Sequence, residues 1–204
     1  MENKYKIIYC DPPWQYKNQK TRAATNNHYP TLSLQDLKSL NIRSIACDNS
    51  VLAMWYTSAF AREAMELASA WGFTIKTMKL FTWVKLNKNY IENITKNMKK
   101  HGCMNSSDVL YLINDQLRLG LGNYTRANSE DCLLAVRGKG VKRVNNSINQ
   151  VILAPIGKHS EKPLEAREKL ELLYGNIPRI ELFARQNVDG WHAWGNECNN
   201  NIQL

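Results

Sequence analysis

Lys6-Ile7-Ile8-Tyr9-Cys10-Asp11-Pro12-Pro13-Trp14 is the stretch on which the fold turns. The run from Lys6 to Cys10 is short, apolar and rich in strand-forming residues, and it stops abruptly at an acid and two prolines. It reads as a buried strand with a turn at its carboxyl end. In open α/β sheets, ligands bind beyond the carboxyl ends of the strands. The turn therefore offers a cleft two acceptors, the Asp11 carboxylate and the Pro12 carbonyl, held close by prolines of fixed φ. Trp14 adds a flat apolar face of the kind on which bases stack. A plain strand-ending turn with Trp14 in the core remains an equal reading of the tetrapeptide alone, because proline pairs commonly end strands.

Working outward, Ser33 reads as an N-cap ahead of Leu34, Leu37 and Leu40. Ser50 to Tyr56 is a second core strand, Ala59 to Trp71 a helix stopped by Gly72, and Phe73 to Val84 one long strand or a strand pair. Residues 86–107 break the rhythm, and Asp108 to Leu119 can form a helix. Cys132 to Val136 and Val151 to Ala154 are strand candidates. Pro163 opens a helix continued by Glu165 to Leu173 and ended by Gly175; Arg179 to Ala184 is a last strand before a polar tail. Strands alternating with helices predict an α/β fold with a mainly parallel sheet. The expectation is a single domain over 1–204, with 86–119 as an inserted target-binding element.

Charge narrows the class of partner. The 204 residues carry 27 Lys+Arg against 18 Asp+Glu, a formal net charge of +9, which favours a polyanion. Between Lys76 and Lys100 seven lysines face one acid, Glu92. The five cysteines form no CxxC pair and the four histidines are dispersed, so neither a disulfide framework nor a metal is expected. No apolar run approaches the roughly 18 residues of a membrane span. MENKYKIIYC lacks the apolar core of a secretion signal. The expectation is a cytoplasmic protein with no membrane partner, in a bacterial or phage-infected cell.

Seven further stretches follow in order. They are Trp71-Gly72-Phe73 leading to Trp83-Val84-Lys85; Gly120-Leu121-Gly122-Asn123-Tyr124-Thr125-Arg126; Leu133-Leu134-Ala135-Val136-Arg137-Gly138-Lys139; His159-Ser160-Glu161-Lys162-Pro163; Glu181-Leu182-Phe183-Ala184-Arg185; Gly190-Trp191; and Trp194-Gly195-Asn196-Glu197. With Asp11-Pro12-Pro13-Trp14, this order resembles the adenine-N6 methyltransferases, the family that includes the catalytic subunit of the messenger-RNA adenosine methyltransferase. The likeness covers nearly the whole chain. Ser129-Glu130 departs from it, and the Lys- and Asn-rich stretch between Lys85 and Gly120 is longer than usual.

The resemblance implies a Rossmann-like S-adenosylmethionine-dependent methyltransferase fold with helices on both faces and a permuted motif order. It implies site-specific methyl transfer from S-adenosyl-L-methionine to the exocyclic N6 amine of adenine in DNA. RNA adenosine methylation and a catalytically silent nucleic-acid-binding subunit are the alternatives, and a homodimer or a partner subunit stays open. Asp11, Pro12, Pro13 and Trp14 would be catalytic. Asp11, Pro12, Lys162, Arg185, Asn187, Asn196 and Glu197 would hold the cofactor, Lys162 at its carboxylate and the last two at ribose. Tyr16, Tyr124 and Arg126 would meet the target, with His28 as a lid residue and Lys96, Lys99 and Lys100 on phosphates.

Overall fold

The computed structural model describes residues 4–15, 31–101, 105–122, 124–157 and 161–204, with His101 described by its backbone alone. Strand β1 (Tyr5–Cys10) alternates in two directions: Ile8 and Cys10 enter one core, Ile7 and Tyr9 the other. Strand β2 (Ala46–Tyr56) does the same, with Leu52 and Met54 on one side and Val51, Ala53 and Trp55 on the other. A strand apolar on both faces must be covered on both, which is the requirement of a doubly wound sheet.

The remaining strands are β3 (Thr74–Leu86), β4 (Ser129–Arg137), β5 (Val151–Pro155), β6 (Arg179–Leu182) and β7 (His192–Trp194), in the order β5-β3-β4-β2-β1-β6-β7. One face is covered by α1 (Leu34–Ser39), α2 (Ile42–Ile45) and α3 (Ala61–Ala70), which bury Leu37, Ile42 and Leu67. After β3 come α4 (Tyr90–His101) and α5 (Ser106–Asp115). On the other face lies α6 (Leu164–Tyr174), which buries Ala166, Leu170 and Leu173. Ser33 caps α1 in a reciprocal box with Asp36. Gly72, at φ 85°, takes the left-handed conformation that ends α3.

The pairing shows six strands parallel and β4 reversed between β2 and β3. The reversal follows from the insertion. After β3 the chain stays at the carboxyl edge to build α4 and α5, so the next strand must run back down. Several details differ from the sequence reading. Residues 86–107, read as a break in the rhythm, hold the twelve-residue α4, and the helix read as Asp108 to Leu119 spans Ser106–Asp115. The last core strand ends at Leu182, because Phe183 leaves it at φ 59°. The polar tail contains β7, three residues that pair with β6 and are too short to show a period.

Candidate active site

From β1 the chain lays β2 beside it, places β3 further out, inserts β4 between them and adds β5 at the edge, then returns to lay β6 on the other side of β1. The β1/β6 boundary is therefore the topological switch point, where a crevice opens at the carboxyl ends. A cleft of about 160 Å³ lies there. Asp11, Pro12 and Pro13 line it from β1; Phe183, Arg185, Asn196 and Glu197 line it from β6 and β7.

Local backbone demands explain that wall. Phe183 is the single described non-glycine residue at positive φ, a conformation costing ~1–2 kcal/mol for an L-residue. It meets Trp194 edge-on, with ring centroids 5.5 Å apart. The Ala184 N–H donates to the Trp194 carbonyl at 3.0 Å. This brings the two backbones so close that a Cβ on Gly195 would fall 2.1 Å from the Ala184 oxygen. Only glycine fits there.

Asp11 belongs to a chain of alternating charges. The Lys162 ammonium donates to Asp11 Oδ2 at 2.5 Å and lies 3.2 Å from Glu130 Oε2; Lys85 donates to Glu130 Oε1 at 2.5 Å. Lys162 is almost wholly enclosed, its side chain 6% exposed, while that of Asp11 keeps 26% open. Burial pushes the Asp11 carboxyl above its ordinary value, with Glu130 adding to the rise and Lys162 opposing it. Burial also pushes Glu130 up, but the Lys162 and Lys85 ammoniums outweigh it and leave that carboxyl lowered. Lys162 is itself raised, the two carboxylates overcoming its own desolvation.

The turn is braced by hydrogen bonds. The Pro12 carbonyl accepts the Trp14 N–H at 2.8 Å, and the Pro13 carbonyl accepts from Leu32 at 3.0 Å. A carbonyl oxygen has two lone pairs, so the Pro12 oxygen retains one acceptor site. Trp14 is not the open face that its motif position suggests. It is buried, stacked on Phe60 with centroids 5.3 Å apart and planes at 14°, and its indole N–H points to the Trp55 carbonyl at 3.3 Å. In this arrangement the indole pins the turn.

The structure brings Asp11, Pro12, Pro13, Arg185, Asn196 and Glu197 together around one cleft. Lys162 stands behind Asp11 and outside the cleft lining. Asn187 lies outside it too; its amide brackets Asn199, donating to the carbonyl and accepting from the N–H, each at 2.9 Å. Tyr124 and Arg126 are exposed ahead of β4, and Lys96, Lys99 and Lys100 are exposed on α4 without ion-pair partners among the described residues. Tyr16, His28, Asn123, His159 and Ser160 lie outside the described residues. Sequence reasoning gives no role to Glu130, Phe183 or Leu32. The one signal for Glu130 is that it departs from the family pattern.

The lining suits S-adenosylmethionine. Phe183, Trp194 and Leu32 provide apolar faces for a purine, Asn196 and Glu197 provide partners for ribose hydroxyls, and Arg185 a cation for an anionic or hydroxyl group. Asp11 places negative charge where a sulfonium would be favoured.

A mixed seven-stranded α/β sheet of Rossmann-like form, with an Asp-Pro-Pro turn at its switch point, is the fold of the S-adenosylmethionine-dependent methyltransferases. Within that class the chain belongs to the MT-A70 family, whose profile matches residues 5–112 and 113–197. It is 29% identical over 217 residues to the type II methyltransferase M.MunI of Mycoplasma sp, covering 97% of this chain and 79% of that protein. It is 26% identical over 204 residues to human N(6)-adenine-specific methyltransferase METTL4, covering 95% of this chain and 37% of the relative. Against the human N(6)-adenosine-methyltransferase catalytic subunit METTL3, identity is 25% over 197 residues, 95% of this chain and 28% of the relative. The chain thus spans most of M.MunI but well under half of these human proteins.

Proposed function

We propose that this protein is a site-specific methyltransferase that uses S-adenosyl-L-methionine to methylate the N6 amine of adenine in DNA. The observation that carries the reading is Asp11: a partly open carboxylate at the switch point, held by the buried Lys162. Likeness to the type II methyltransferase M.MunI over most of both chains supports methyl transfer, and the net charge of +9 supports a nucleic-acid substrate.

The adenine amine is a poor nucleophile because its lone pair is delocalised into the ring. Asp11 and the second lone pair of the Pro12 carbonyl accept hydrogen bonds from its two N–H groups, which favours a pyramidal nitrogen whose lone pair is withdrawn from the ring π system and localised for attack. Prolines 12 and 13, Trp14 on Phe60, and the Leu32 bond hold these acceptors still, so that positioning supplies much of the acceleration. Bound S-adenosylmethionine supplies an electrophilic methyl on sulfur. Arg185, Asn196 and Glu197 bind and orient it. Lys162 acts as a positioning residue, keeping Asp11 in place and compensating its charge. A target in duplex DNA must leave the stack to reach this cleft, at ~2–3 kcal/mol.

The experiment is transfer of labelled methyl to adenine-containing single- and double-stranded DNA, with matched RNA strands in competition. Incorporation into adenine of DNA, followed by sequencing of the product, is the expected result. Calorimetric binding of S-adenosylmethionine with no transfer to any strand would overturn the reading, and preference for RNA would reassign the substrate. Failure to bind the cofactor at all would make the chain a silent subunit.

A further inference from the structure

The amino edge of the sheet, opposite the cleft, carries a row of cations. Arg137 ends the reversed strand β4 at this edge, and its guanidinium donates to the Arg43 and Ala46 carbonyls at 2.9 and 3.4 Å. Lys139 follows on a turn held by its own N–H, which donates to the Asn49 side chain at 2.8 Å. The chain then passes through Lys142 and Arg143 to the end of α6, where Val144 donates to the Leu173 carbonyl at 2.8 Å. Arg43, Lys139, Lys142 and Arg143 are all exposed. Beyond α6 the row continues at the starts of β1, β6 and β7 with Lys4, Arg179 and His192, which line a cavity of about 410 Å³. Among the described residues, the acids along this row are Asp48, 3.6 Å from Arg137, Glu171, 3.6 Å from Arg179, and Asp189.

Arg179 is the member of this row that a merely solvated surface does not explain. Its side chain is 7% exposed. Nη1 donates to Asn176 Oδ1 at 2.9 Å and to the Ile177 carbonyl at 3.4 Å, whereas Nε and Nη2 meet no hydrogen-bond acceptor among the described residues. Glu171 offsets the charge but takes its hydrogen bond from the Trp191 indole, at 2.6 Å. A buried donor without an acceptor is costly, and an anion oxygen in the cavity removes that cost. Gly190, at φ 74°, also lines the cavity. A Cβ there would fall 2.7 Å from Nη2, so the glycine keeps that approach open.

Topology keeps this row apart from the cleft. Strand β1 has six residues, about 20 Å at ~3.3 Å each, and the two sites lie beyond its opposite ends. A duplex stiff over ~150 base pairs does not turn from one edge to the other on so short a path, so DNA in the cleft leaves the row free. From β4 to β7 the row crosses four strand spacings, about 19 Å at ~4.8 Å each, which is the rise of roughly six base pairs. Resting on the nucleic-acid substrate of the reading above, we infer that the amino edge is a second DNA-binding surface. One phosphate of a second segment seats against Arg179 in the cavity, and its neighbours meet Lys139, Lys142 and Arg143. Held at two places, the protein bridges two segments and passes between them without release into solvent.

The test mixes two short duplexes, one with the target sequence and a donor dye, the other without it and with an acceptor dye, and reads energy transfer on adding the full chain. Wild type should bring the dyes together, and rising salt should part them. The combined variant Lys139→Ala, Lys142→Ala, Arg143→Ala should weaken capture of the second duplex about tenfold or more, and Lys4→Ala about threefold. The melting temperature and kcat/KM on the short target duplex should stay at wild-type values in both. Absence of energy transfer with wild type overturns the second surface. So does transfer that survives the combined variant, since two copies each holding one duplex would then be the bridge. Loss of methylation on the short duplex overturns it too, by placing the target itself at this edge. Inorganic phosphate tests for a free anion: a wild-type melting temperature raised by phosphate, with no bridging of duplexes, gives the cavity to a small ligand instead. Bridging without methyl transfer to any strand would remove the enzyme reading and leave this surface standing.

Discussion

Asp11 is where a single carboxylate has to be both reachable and charged. Burial alone would favour its neutral form, and the nearby Glu130 charge adds to that, so the Lys162 ammonium is needed to oppose them. Asp11→Ala should abolish methyl transfer while calorimetry still detects cofactor; undiminished turnover would show that the wrong group has been assigned. Because the Asp11 carboxyl is raised, the acid limb of kcat/KM should lie above the ordinary aspartate range, with activity declining as pH falls through it. Glu130→Gln removes a charge that raises Asp11 and should shift that limb to lower pH, which a pH–rate profile reads directly. Lys162→Met leaves Asp11 without its counter-ion and Glu130 with Lys85 alone. Breaking a buried pair on one side costs ~3–5 kcal/mol, so urea unfolding should show a decrease of that order.

At the scale of elements, the cofactor wall depends on how β6 hands over to β7. Phe183 turns out of the strand, Ala184 bonds back to Trp194, and Gly195 passes against the Ala184 backbone. Gly195→Ala puts a methyl where a carbonyl stands, so it should weaken cofactor binding by an order of magnitude or more in calorimetry, with a lowered melting temperature. Helix α4 makes a separate, electrostatic contribution. Replacing Lys96, Lys99 and Lys100 by Ala should weaken DNA binding and flatten the dependence of log affinity on log salt, by up to ~0.9 for each phosphate no longer neutralised. Slopes identical to wild type would mean that these lysines only face solvent.

At the scale of the molecule, two cores sandwich one sheet, and the groups of the candidate active site sit on or near its carboxyl edge. No described helix is long and apolar enough to cross a membrane. The strand-turn at Lys6 to Trp14, the cap at Ser33 and the glycine stops at 72 and 175 are all legible locally, because each depends on residues within a few positions of one another. The three-residue β7 is not, since its strand character exists only against β6. Nor is the stacking of Trp14 on Phe60, because the tetrapeptide alone reads equally as a cleft face and as a core residue, and its partner comes from a distant segment.

The sequence by itself determined the apolar core strands, the glycine stops, the position of the Asp-Pro-Pro turn and the excess of positive charge, all of which are short-range or summed properties. Only the tertiary structure decided that β4 runs backwards, that Glu130 and Lys162 meet beside Asp11, and that Asn187 clamps the tail. Those outcomes depend on which strands become neighbours. Lys162 lies 151 positions from Asp11 along the chain, and no local pattern encodes an ion pair that exists only once the sheet has closed around it.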